Sequence, residues 1–168
     1  MVGRGYHIAL GREHAKRLFG LKQDQEILRF LEELKGSAEM KKSGRLLDCG
    51  TAWDAIHRCL TEGELDPAAG DFPLNHAVLG GKRLHQGSDH AAVLIRPDMV
   101  RFIADALAEV DETDFRQKYF SLNRDSYKQP IGEKEFVQTW IVLRDLQVFF
   151  GAAAENMEAV VFTAKYQE

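Results

Sequence analysis

Residues 133–164 read EKEFVQTWIVLRDLQVFFGAAAENMEAVVFTA, and the two ends of this stretch carry different patterns. From Glu133 to about Ala154, apolar residues including Phe136, Trp140, Ile141, Leu143, Leu146, Phe149 and Phe150 cover most of a helical circumference. The pattern predicts a long helix buried on several sides, with Trp140 largely enclosed. Ala159 to Ala164 then returns as an apolar strand. Ala91 to Ile95, Ala-Ala-Val-Leu-Ile, is too short for a helix of its own and suits a strand covered on both faces.

Working outward, Arg96-Pro97-Asp98 turns that strand into a helix with a stripe of Val100, Ile103, Ala104 and Leu107, and a short helix follows around Thr113 to Phe120. In the N-terminal part, Tyr6, Ile8 and Leu10 alternate with His7 and Ala9, the mark of a half-buried strand. Arg12 to Phe19 and the spacing of Ile27, Leu31 and Leu34 predict two helices, ended by Gly20 and Gly36. Residues 36–45 lack periodicity and are expected to form a mobile loop. Thr51 and Asp54 fit a capping box before the stripe of Trp53, Ile56 and Leu60. The sum is a single α+β domain over residues 1–168, with five to six helices around a small sheet of about three strands.

With 168 residues, 45% of them hydrophobic and 29% charged, the chain is long enough for one core and unlike a disordered or membrane-embedded one. The net charge of −4 and the scattered lysines and arginines argue against a nucleic-acid partner. Residues 1–50 carry net +3 (ten basic, seven acidic) and residues 51–168 net −7 (twelve basic, nineteen acidic). Cys49 and Cys59 form no CxxC motif, so a disulfide framework and a zinc ribbon are not expected and a reducing cytoplasm fits. Met1 to His7 lacks a signal-peptide core, and no run reaches the ~18 apolar residues of a membrane span.

The connection from Glu62 to His90 has little regular pattern beyond one possible helical turn near Leu74, and a connection of that length points to a functional loop. Within reach of it on one helix surface lie Trp53, Asp54 and His57, where an acidic neighbour could orient His57 as a general base. A core role for His57 is the stronger reading, since Asp54 already has a capping task. His76, His85 and His90, with Asp71 and Asp89, offer ligand chemistry but no HExxH, HxH or facial-triad spacing, so no bound metal and no cofactor are expected. Gly80-Gly81-Lys82-Arg83 lacks P-loop spacing and reads as a glycine turn, and no serine has the flanking glycines of a nucleophile elbow.

Trp53-Asp54-x-x-His57-x-x-Leu60-Thr61, Pro73-Leu74-x-x-Ala77-Val78-Leu79-Gly80, Asp114-Phe115-Arg116 and the closing Ala159-Val160-Val161 resemble the YfbM-like family of bacterial proteins over nearly the whole chain. The resemblance implies an α+β fold and no established reaction, cofactor or partner. Family members often carry a lysine shortly before the tryptophan, where this chain has Gly50-Thr51-Ala52, so no role of that lysine carries over.

The leading expectation is a cytoplasmic binding or regulatory module for a small molecule or a protein, with Tyr6, Trp53 and His76 as ligand-binding residues. The alternative is a small hydrolase or transferase with His57 as base and Asp54 assisting. A third is an acidic protein that neutralises a partner. Only a pocket shared by His57, Tyr6 and the 62–90 segment would favour the enzyme.

Overall fold

In the computed structural model, which describes residues 2–166, Ala159–Lys165 (β5) is the central strand of a five-stranded sheet. The other strands are β1 (Gly5–Leu10), β2 (Leu46–Gly50), β3 (Lys82–Arg83) and β4 (His90–Ile95), and the order is β2-β1-β5-β4-β3 with every neighbour antiparallel. Among the described residues seven α-helices accompany them: α1 (Arg12–Phe19), α2 (Asp24–Lys35), α3 (Ala38–Lys42), α4 (Ala52–Leu60), α5 (Pro97–Ala108), α6 (Glu112–Phe120) and α7 (Glu133–Glu155). No helix among the described residues is long and apolar enough to cross a membrane.

Strand side chains alternate between faces, and both faces are covered. Ile8 and Leu10 of β1, Ala92 and Leu94 of β4 and Val161 of β5 pack with Leu18, Phe30, Leu31 and Met40 from α1, α2 and α3. Ala9, Val93, Val160 and Phe162 face the larger cluster built on α4, α5, α6 and α7, which contains Trp53, Ile56, Ile103, Phe136 and Phe150. Gly5 permits the closest approach of sheet and helix, since a Cβ there would meet Trp53 Cδ1 at 2.5 Å and the Phe162 ring at 2.8 Å.

The α+β class stands, with five strands and seven α-helices where about three strands and five to six helices were expected. The missed strands are edges. β2 is mostly half-exposed, and β3 is two exposed residues, so neither carries an apolar alternation. Residues 36–45 hold α3, whose N-cap Ser37 accepts from the Met40 N–H at 3.3 Å and whose Met40 is buried. Trp140 is only partly buried, because α7 packs on α5 and β2 with one side and leaves Val137, Ile141 and Val148 to solvent on the other.

The expected capping box is absent. Thr51 sits at φ −96°, ψ 0°, outside the extended region from which an N-cap side chain reaches the first turn, and makes no capping bond. Asp111 does cap α6, its carboxylate accepting from the Thr113 N–H at 3.0 Å. Thr51→Ala should therefore change stability by less than ~0.5 kcal/mol, whereas Asp111→Ala should cost about 1 kcal/mol. Urea midpoints of the two variants decide it; equal losses would restore a cap at Thr51.

Candidate functional site

Helix α4 carries three of the residues singled out in the sequence, and each reaches a different partner. Trp53 is fully enclosed, donates from Nε1 to the Gly3 carbonyl at 2.8 Å and packs against the Phe162 ring at 5.3 Å. Asp54 turns to Arg58 one turn on, at 2.6 Å, in an ion pair only 5% exposed on either side. The Arg58 guanidinium continues to the Ser126 hydroxyl at 3.0 Å and to the carbonyls of Ser126 and Gly63, both at 3.3 Å. Removing one partner of such a buried pair strands a charge and costs about 3–5 kcal/mol; the network ties α4 to two loops.

His57 is 0% exposed, and one ring nitrogen, Nε2, lies 2.8 Å from the Asp66 carbonyl. A carbonyl only accepts, so Nε2 carries the hydrogen and donates. Nδ1 is buried with no hydrogen-bond partner among the described residues. Burial holds the ring's pKa below the ordinary histidine value, against the smaller opposing effects of the Asp66 carbonyl and Asp54. A neutral ring spent on a carbonyl offers a substrate no accessible base.

His76 is half-buried, pairs through Nδ1 with the Asn75 side-chain oxygen at 2.6 Å and meets the Phe72 ring edge-on. Tyr6 points to the opposite face of the sheet, with Ile8 and Leu10, and lies under the Lys35 ammonium at 4.8 Å. The structure thus brings Trp53, Asp54 and His57 together on one helix and leaves Tyr6 on the other side of the sheet.

One buried histidine carried no expectation beyond its place in a strand. His7 is 0% exposed; its Nε2 donates to the Ala77 carbonyl at 2.7 Å, which leaves Nδ1 to accept from the Cys49 thiol at 3.2 Å. Burial lowers the His7 pKa to about 4 and raises that of Cys49, so this is a neutral thiol–imidazole pair without a nucleophile's character. The alternation of β1 reads as a half-buried strand with His7 on its polar side, but the sheet is covered on both faces and His7 packs against Phe149 and Phe150 of α7.

The polar surface gathers instead around His90, the first residue of β4. It lines two clefts. One, of about 230 Å³, is formed with Tyr6, Thr163, Lys165, Arg4 and Lys35 on the α2 side. The other, of about 290 Å³, is formed with Pro67, Leu79, Arg83, Ser88 and Tyr166 where the 61–89 connection meets the sheet edge. His57 lines neither.

His7 gives a test of the buried-imidazole geometry. The unfolded ring binds its proton near pH 6.5 and the folded one only near 4. Between those values the unfolded state holds more protons, so stability is fully present above pH 6.5 and falls as pH drops toward 4, by about 3 kcal/mol for this ring. Urea midpoints across that window should fall, and His7→Asn should flatten the dependence; an unchanged slope in the variant would show that the ring is not the titrating group.

Among curated proteins, none matches the chain. The fold is similar to that of the crystal structure of YfbM from Escherichia coli, a protein of unknown function, with a TM-score of 0.70 at 21% sequence identity, over 98% of this chain and 99% of that one. Residues 1–163 match the model of a domain of unknown function, DUF1877, and the chain belongs to that family.

Proposed function

We propose that the protein is a small-molecule-binding module, with regulatory rather than catalytic use, and that its ligand is an anion held in the cleft beside Tyr6. The observation that carries this reading is the charge of that cleft. Arg4, Lys35 and Lys165 line it with one carboxylate, Glu32, and the uncharged polar groups of Tyr6 and Thr163 stand between them. Clustered cations in a concave site concentrate a field that attracts anions even on a protein of net negative charge. Part of the field is already balanced, since Arg4 bonds Asp48 at 2.6 Å and Lys35 bonds Glu32 at 2.5 Å. Lys165 has no such partner among the described ion pairs.

A hydrolase or transferase based on His57 fits less well, because that ring is enclosed and donates its N–H to Asp66. A cytoplasmic setting accords with two free, buried cysteines.

Amide chemical-shift mapping with inorganic phosphate, citrate and adenosine monophosphate tests the reading. Responding amides are expected at residues 4–6, 32–35, 90 and 163–165, with Lys165→Glu weakening the response about 10-fold, the effect of roughly 1.4 kcal/mol. Saturable shifts confined to residues 53–60, or no saturable response to any of the three anions, would contradict it.

A further inference from the structure

The hairpin of β3 and β4 brings together residues whose spacing in the sequence gives no hint of a site. Arg83 fastens the turn from within, donating from Nε to the His85 carbonyl at 2.8 Å and from Nη2 to the carbonyls of Gln86 and Gly87 at 2.9 and 3.0 Å. The Gln86 N–H donates to Asp24 Oδ2 at 3.0 Å, which anchors the turn to the first residue of α2. So held, His85 Nε2 lies 2.9 Å from Asp89 Oδ1, and His90 Nδ1 lies 2.8 Å from Asp89 Oδ2. One ligand atom from each of the three residues falls within 4.8 Å of the others.

We propose that His85, Asp89 and His90 bind a divalent transition-metal ion of the zinc class, with Asp24 orienting the His85 ring from behind. This goes beyond the anion-binding reading and does not depend on it. It replaces the expectation of no metal, which rested on spacing alone.

Two imidazole nitrogens and a carboxylate oxygen are donors suited to zinc and its neighbours. Bonds of about 2.0–2.2 Å at tetrahedral angles place ligand atoms roughly 3.3 Å apart, a spacing between the 2.8 and 2.9 Å of the present hydrogen bonds and the 4.8 Å within which the three ligand atoms lie. Three protein ligands leave one position for water. Asp89 is 68% exposed, so that position opens to solvent, while the His85 side chain is 8% exposed and fixed.

Two further observations separate a metal site from an ordinary histidine–carboxylate cluster. The first is the far nitrogen of His85. Its Nδ1 is buried without a hydrogen-bond partner among the described residues, yet lies 3.4 Å from Asp24 Oδ2. With a metal on Nε2 the ring hydrogen resides on Nδ1 and points at that carboxylate, the carboxylate–histidine–metal arrangement that fixes tautomer and ring orientation. The hydrogens that His85 Nε2 and His90 Nδ1 now donate to Asp89 must leave those two atoms for a metal to bind there. The second is Gly87. A Cβ there would lie 2.6 Å from His85 Nε2 and 2.8 Å from Asp89 Oδ1, at the two atoms that would hold the ion. The turn comes against the cluster only because that side chain is missing.

The test is zinc calorimetry and cobalt visible absorption on the full chain after chelator treatment, at neutral pH. One saturable site per chain is expected, with the d–d bands of a low-coordinate cobalt ion. His90→Ala and Asp89→Asn should each weaken zinc binding at least ~10-fold, and Asp24→Asn about 10-fold through the second layer alone. His14→Ala, on α1, should leave binding unchanged. His90 and Asp89 are solvent-accessible, and thermal unfolding without metal will show that their variants are folded. Absence of saturable zinc and cobalt binding would overturn the proposal. So would undiminished affinity in folded His90→Ala, or binding lost on Cys49→Ser, which would move the site to the His7–Cys49 pair.

Discussion

A connection as long as 61–89 lies against the core because two enclosed imidazoles tie its backbone down. His57 donates to Asp66 and His7 to Ala77, at 2.8 and 2.7 Å. Ala77 is buried, and its carbonyl left unsatisfied would cost more than a hydrogen bond returns, so the His7 bond fixes the connection there. At the exposed Asp66, whose carbonyl also accepts from the Ala69 N–H at 3.1 Å, the His57 bond adds a second tether. Arg58 does the same for Gly63 and Ser126, and Trp53 for Gly3. Helix α4 is in this sense a strut: its buried polar side chains reach outward to backbone. That use accounts for the otherwise costly burial of Asp54, His57 and Arg58 on one helix.

The same constraint places the chemistry elsewhere. With the connection pinned at Asp66 and Ala77, its last part, residues 82–89, emerges at the sheet edge. There Arg83 folds it into the turn that carries His85 and Asp89 beside His90. Titratable groups with accessible atoms therefore collect at the start of β4, next to the cations of the Tyr6 cleft. Asp89 shows the effect: hydrogen bonds from His85 and then His90 lower its pKa to about 2.

Much of the fold was legible because its main elements bury continuous apolar surface. β4, β5, α5 and α7 announced themselves as runs or stripes, and the helical stop at Gly36 matched the end of α2. β2 and β3 were not legible, since an edge strand that is half or fully exposed has no reason to alternate. At α4, the proximity of Asp54 and His57 was readable from helical spacing. That Asp54 chooses Arg58 was equally readable as an i, i+4 pair, but the capping-box pattern competed for the same carboxylate. Tyr6 shows a different limit: pleat parity separates it from His7, yet parity alone does not say which face α4 covers. The sequence showed ligand chemistry at His85, His90 and Asp89 without a ligand spacing, because their cluster depends on the closure of one turn.

The central claim is that His7 and His57 are structural donors while His85 and His90 are the groups open to chemistry. Long-range proton–nitrogen correlation of the histidine rings at neutral pH, with and without zinc, measures this most directly. The account predicts His7 and His57 as single Nε2–H forms that zinc does not alter, with the nitrogen shifts of His85 and His90 moving together. A His57 ring that exchanges between tautomers, or that responds to zinc while His85 and His90 stay fixed, would contradict it.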